Sequence, residues 1–130
     1  MHCTDYIIIY IIYIMNQRRG LIFVGSSLKE LSSFPDNVKR DIGYALHLAQ
    51  IGEKATNAKP FKGLNGVFEI VDDYKTDTYR ALYLVKMGDK VYVLHAFQKK
   101  SKTSIKTPQR EIELIKNRYK QALVIFEQQK

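Results

Sequence analysis

The stretch that most limits what this chain can fold into is Thr78 to Lys102, TYRALYLVKMGDKVYVLHAFQKKSK. Two apolar runs rich in Val, Tyr and Leu flank Gly88-Asp89. A two-residue loop with glycine first suits a type II′ turn, whose twist matches that of paired strands. That turn sets Met87 opposite Lys90 and Val85 opposite Tyr92. Further out, Leu82 meets His95 and Arg80 meets Phe97. Side chains alternate along a strand, so Arg80, His95, Phe97 and Lys99 share one face at the end far from the turn. A different loop length slips the register by one and groups Arg80 with Gln98 and Lys100 instead. In both cases an arginine and a lysine gather with aromatic and polar groups where the hairpin opens.

Around this hairpin the chain reads strand, helix, helix, three strands, helix. Leu21–Val24 is a short buried strand. Ser26 or Ser27 can cap a short helix running to Phe34. A second helix restarts after Pro35 with Val38, Ile42, Ala45, Leu46 and Ala49 on one face, and Gly52 is placed to end it. His47 falls off that stripe and reads as an exposed helix residue. Residues 53–66 read as a loop carrying Lys59 and Lys62, and Val67–Val71 as the strand that leads through Asp72 and Asp73 into the hairpin. Thr107-Pro108 opens the last helix as N-cap and first residue, with Ile112, Ile115, Tyr119, Ala122 and Phe126 as its apolar stripe. Segregated helices and strands point to an α+β fold on a small antiparallel sheet, packed by an N-terminal helical hairpin and a C-terminal helix.

The 130 residues suffice for one domain with a real core. A net charge of +8 favours an anionic partner. From Lys99 to Lys130 the excess is sharper, nine Lys/Arg against three Glu. A single cysteine, Cys3, excludes an internal disulfide, and His2, His47 and His95 lack zinc-ligand spacing. A reducing, cytoplasmic setting is the default. Residues 6–14, YIIIYIIYI, are too few to span a bilayer as a helix. As a strand they would form an aggregation-prone edge. They read as an upstream extension, covering residues 1–14, ahead of a functional domain over 15–130.

No glycine-rich phosphate loop, CxxC pair, HExxH or GxSxG is present. Glu69, Asp72, Asp73 and Asp77 border the hairpin, and turn-forming aspartates account for Asp72 and Asp73 without a metal. Neither a metal nor another cofactor is expected. The basic face is more informative. Cleaving RNA without metal requires a base for the 2′-OH, a cation for the phosphate and an acid for the leaving 5′-oxygen. Arg80 suits the phosphate, with its planar fork. Histidine as a residue type can give and take a proton near neutral pH, which suits His95 to serve as base or acid, and Lys99 or Lys100 can complete the set. Tyr79 and Phe97 offer faces for an unstacked base. Lys59, Lys62 and Lys102 supply further phosphate contacts. For all but Arg80 a plain reading competes: sheet packing for the aromatics, a hydrogen-bonded core residue for His95, solvated charge for the lysines. Arg80, a lone arginine in an apolar strand, demands a partner.

At these residues the sequence resembles the RelE/ParE toxin superfamily, in its HigB-type, phage-derived branch. The resemblance is carried by LIFVGSSLKELSSFP, KPFKGL, DTYRALYLV and, most specifically, VYVLHAFQKKSKTSIKTPQREIELIKNRY, over roughly Leu21 to Leu123. The last helix follows a TPxxEIxxAxxR-like pattern, with Ile115 at the small-residue position. The resemblance implies a toxin that cuts mRNA in the ribosomal A site without metal, neutralised by a HigA-like helix-turn-helix antitoxin. Arg80 matches the family's strand arginine and Lys99 or Lys100 its terminal basic residue, while Lys59 and Lys62 match its loop lysines more loosely. His95 belongs to the branch's motif. A gyrase inhibitor acting by binding, as on the ParE side, and a non-catalytic RNA-binding protein are the alternatives.

Overall fold

The computed structural model describes residues 3–85, 88–100 and 107–129. In chain order the elements are α1 (Cys3–Gln17), β1 (Gly20–Phe23), α2 (Ser27–Ser32), α3 (Asp36–Gln50), β2 (Ala58–Pro60), β3 (Val67–Tyr74), β4 (Asp77–Leu84), β5 (Lys90–Lys99) and α4 (Gln109–Gln128). The strands form one sheet in the order β1-β5-β4-β3-β2. This is the expected α+β class, with two refinements. β1 pairs with β5 in parallel, so the sheet is mixed and not purely antiparallel. The segment read as a plain loop contains β2, which pairs antiparallel with β3 and brings Lys59 opposite Glu69.

β4 and β5 lie at the centre, and their runs Tyr79–Leu84 and Val91–Phe97 are buried on both faces. Two cores account for this. Leu31, Phe34, Val38, Ile42, Ala45, Leu46 and Ala49 from α2, α3 and the link between them cover one face, meeting Ile70, Tyr79, Ala81, Tyr83, Val91 and Val93. Ile115 and Ala122 of α4 cover the other, meeting Leu82, Leu84, Tyr92, Leu94 and Phe97. A strand covered on both sides loses strict polar alternation, so a buried charge there stands out. The expected α3 stripe is the buried one. Gly52, at φ +85°, ends α3. Its amide bonds to Ala49 O at 3.1 Å and that of Glu53 to Leu48 O at 2.8 Å, a Schellman closure. His47 is half-buried beside Tyr44.

The hairpin register explains itself through a bulge. Near the tip Leu84 faces Tyr92 and Tyr83 faces Val93, one residue off the pairing expected from a two-residue loop. Leu94 is then the extra residue of β5, and beyond it Leu82 meets His95 and Arg80 meets Phe97. The expected pairing at the open end is therefore present, and Thr78 faces Lys99. The Met87–Lys90 pair lies outside the described residues, because Met87 does.

Two helix starts differ from expectation. Ser26 makes no capping bond to the backbone; its hydroxyl donates to Glu30 Oε2 at 3.2 Å, and that of Ser27 to Val93 O at 3.0 Å. α4 begins at Gln109 with Pro108 as N-cap, so Thr107 does not cap it. The Thr107 hydroxyl is drawn instead to charged groups on the sheet. The apolar leader forms α1, with Tyr6 to Ile12 all exposed. Among the described residues no helix is long and apolar enough to cross a membrane.

Where α3 packs on β3, burial, the facing Asp41 carboxyl and the neighbouring Asp73 together push the Asp72 carboxyl up to about 6. A carboxyl raised above its unfolded value of 3.8 favours folding when protonated. Its contribution is complete below pH 4 and is lost as pH rises through about 6. Asp72→Asn removes that loss. Its stability gain over the parent should be near zero at pH 4 and about 1 kcal/mol at pH 7.5, after discounting a side chain that water partly reaches. Urea midpoints of the two proteins at both pH values check this; an equal gap at both would assign the effect to something other than Asp72.

Candidate functional site

The face of the sheet under α4 carries both charged clusters of interest. The first ties three elements together. β1 ends at Phe23, which leaves the edge of β5 bare beyond Val93, and α2 lies along it. Glu30 of α2 accepts from the Ala96 amide at 3.4 Å, an edge N–H that β1 does not reach. The same carboxylate meets His95 Nδ1 at 3.0 Å and Arg118 at 2.7 and 3.1 Å. Arg118 of α4 also donates to Ser26 Oγ at 2.8 Å and to Leu94 O at 3.2 Å, the carbonyl of the bulged residue. On its other side His95 Nε2 bonds to Glu111. The ring is 3% exposed and stacks on Phe97 with centroids 5.4 Å apart. Burial alone would raise the Glu30 carboxyl. The Arg118 hydrogen bond and the charges of His95 and Arg118, with the Ala96 amide, outweigh it and hold the carboxyl below its usual range.

Both ring nitrogens of His95 thus face protein carboxylates, and neither points at open solvent. The cluster is built as a clamp joining α2, β5 and α4.

The second cluster lies on the neighbouring strands β4, β3 and β2. Arg80 of β4 donates to Glu69 Oε2 of β3 at 3.1 Å, with both side chains buried. Thr107, just ahead of α4, bridges them: its hydroxyl accepts from Arg80 at 3.4 Å and donates to Glu69 Oε2 at 3.3 Å. Lys59 Nζ of β2 stands 3.8 Å from Glu69 Oε1 and is mostly exposed. Glu69 also lines a groove of about 450 Å³ whose other walls are Lys59, Pro60, Phe61, Lys62, Thr107, Gln109 and Ile112. So a buried carboxylate backed by a guanidinium opens on a surface groove with two lysines on its rim. A carboxylate can take a proton, and the cations beside it can stabilise an anion forming within reach.

The expected residues sort as follows. Arg80, Lys59 and Lys62 come together around Glu69. Lys99 is half-buried on the same face as Arg80, diagonal to it across the Thr78–Lys99 and Arg80–Phe97 pairs, while Lys100 is exposed past the strand end. Phe97 is in the core under α4. Tyr79 lies on the opposite face, edge-on to Phe34 at 4.9 Å. His95 belongs to the clamp. Lys102 lies outside the described residues. The groups that sequence reading missed are Glu69 as Arg80's partner, and Glu30, Glu111 and Arg118.

Residues 29–120 match the family model described as phage derived protein Gp49-like. No curated protein matches the chain. Among solved structures, a chain of the toxin–antitoxin complex RelBE2 from Mycobacterium tuberculosis is similar. The TM-score is 0.44 at 19% identity, over 65% of this chain and 94% of that one. The family match spans most of the sequence, from α2 through the greater part of α4, and takes in both clusters except Ser26. It agrees with the phage-derived part of the resemblance without specifying the HigB type: the chain belongs to the Gp49-like family of phage-derived proteins.

Proposed function

We propose that the chain is the HigB-type toxin of a type II toxin–antitoxin pair and acts as a metal-independent, ribosome-dependent mRNA endonuclease. The observation that carries this reading is buried Glu69, which pairs with Arg80 behind it and lines a groove rimmed by Lys59 and Lys62. The net charge of +8 and membership of the Gp49-like family support it. In the reaction Glu69 takes the proton of a ribose 2′-OH. The freed oxygen attacks the adjacent phosphorus, and Arg80 with Lys59 stabilises the charge growing on the phosphoryl oxygens. The P–O5′ bond breaks, and Lys99, on Arg80's face, protonates the leaving oxygen. The products are a 2′,3′-cyclic phosphate and a 5′-OH. In this reading Glu69 is the base in place of His95, a choice supported by the engagement of both His95 nitrogens with Glu30 and Glu111. The partners in this reading are mRNA on the ribosome and a HigA-like helix-turn-helix antitoxin, in the cytoplasm.

Mapping mRNA 5′ ends after induction of the protein tests the reading. New ends carrying 5′-OH inside translated frames are expected. A DNA-damage response with no new mRNA ends would overturn it in favour of gyrase inhibition.

A further inference from the structure

Single-stranded RNA is held by phosphate contacts and by aromatic faces on which unstacked bases rest. Tyr79 and Phe97 are unsuited to the second task, since both are buried in the cores. Of the described aromatic residues, Phe61 lines the basic groove. We propose that this groove is a slot for one unstacked base of single-stranded RNA, with Phe61 as its stacking surface and Lys59 and Lys62 holding the flanking phosphates. The inference rests on the ribonuclease reading and extends it from the reacting groups to the substrate.

Local structure fixes Phe61 where the task requires. Its amide bonds to Val67 O at 2.8 Å, continuing the β2–β3 ladder past Pro60. Its half-buried ring packs on the core that includes Val67. That support makes the ring a fixed wall, so little side-chain freedom is lost when a base arrives. Opposite are Ile112, apolar, and Gln109, whose exposed amide carries both donors and an acceptor and can meet the edge of any base. A groove of about 450 Å³ is of the size that takes one small ligand. The carboxylate at its floor selects among anionic partners. Glu69 repels an acidic side chain entering the groove, yet accepts from the hydroxyl and amino groups that a nucleoside brings. Phosphates that stay at the rim meet the lysines instead.

The chain has no tryptophan, so Phe61→Trp introduces a single indole into the slot. The probe is a short 2′-O-methyl RNA, which cannot be cut, at fixed low salt because phosphate contacts weaken with salt. Its binding should quench the fluorescence of Phe61→Trp, whereas an abasic strand of equal length or a hexaglutamate peptide should not. Phe61→Leu keeps the packing on Val67 and should bind the same RNA about 10-fold more weakly, the scale of one lost stacking contact. It should bind the abasic strand as the parent does. Equal affinities of parent and Phe61→Leu for the RNA, or quenching by the abasic strand or the peptide, would overturn the slot. Cleavage of translated mRNA is scored separately. Cleavage without base-dependent binding removes the slot and leaves the nuclease. Base-dependent binding without cleavage does the reverse.

Discussion

Glu69→Gln is expected to give a folded protein that cuts mRNA about 10²–10⁴-fold more slowly than the parent, the loss typical of removing a positioned base. The side-chain amide has the shape of the carboxyl group, and its oxygen can still accept from Arg80 and from Thr107, which reach Glu69 at 3.1 and 3.3 Å. What it cannot do is take a proton. Glu69→Ala is the contrasting change. It removes the anion that the buried Arg80 guanidinium faces and should cost about 3 kcal/mol of stability, as breaking one side of a buried ion pair does. Single-turnover cleavage on programmed ribosomes, with thermal midpoints for both variants, separates the effects. A Glu69→Gln protein that cleaves at the parental rate would return the role of base to another group, and Glu69 would be Arg80's structural counterion alone.

The pairing of Glu69 with Arg80 was half legible. A lone arginine between Tyr79 and Ala81 signals that a partner is required, and a lone glutamate in VFEIV sends the same signal. What joins them is the stagger of β3 on β4, which sets Arg80 opposite Val71 and so beside Glu69 on one face. Sequence gives the spacing within a strand but not that stagger. The open end of the hairpin was legible for a less direct reason. The tip pairs one residue away from a simple two-residue loop, and the bulge at Leu94 restores the alternation beyond it. A bulge leaves little local mark in a run such as VYVLHAF, where every residue is buried.

α3 was readable because its stripe is plain. Arg118 was not, because charge hid its position. It lies three residues after Ile115 and four before Ala122, on the buried face of α4. Helical spacing places it there, while residue type suggests solvent. The strand β2 escaped because three residues ending in proline carry no pattern, and Pro60 is tolerated only because β2 is the sheet's edge. Tyr79 and Phe97 show the same gap from the other side. Alternation puts them on opposite faces, yet only the helices reveal that both faces are covered.

Arg118 carries a second large expected effect, this one on stability. Arg118→Met keeps much of the side chain's length and apolar stem but removes the guanidinium donors to Glu30, Ser26 and the Leu94 carbonyl. Glu30 keeps the Ser26 hydroxyl, the His95 ring and the Ala96 amide, which do not replace the guanidinium. The expected loss is about 3 kcal/mol, at the low end for a broken buried pair because the Glu30 side chain is 25% exposed. For a domain of ordinary stability that is a large fraction of the total. Glu30→Gln combined with Arg118→Met should lose less than Arg118→Met alone, because the double variant no longer strands an anion. The parent has a pH signature as well. The Glu30 carboxyl is held below its ordinary value, so its contribution is complete above the unfolded range and is lost as pH falls through the folded value. Arg118→Met should abolish that acid-side loss, so parent and variant converge as pH falls. Urea denaturation of the four proteins of the cycle at pH 7 and pH 3 measures both effects. Additive single losses, or a gap between parent and Arg118→Met that is the same at both pH values, would mean that the clamp holds α4 by packing and not by charge.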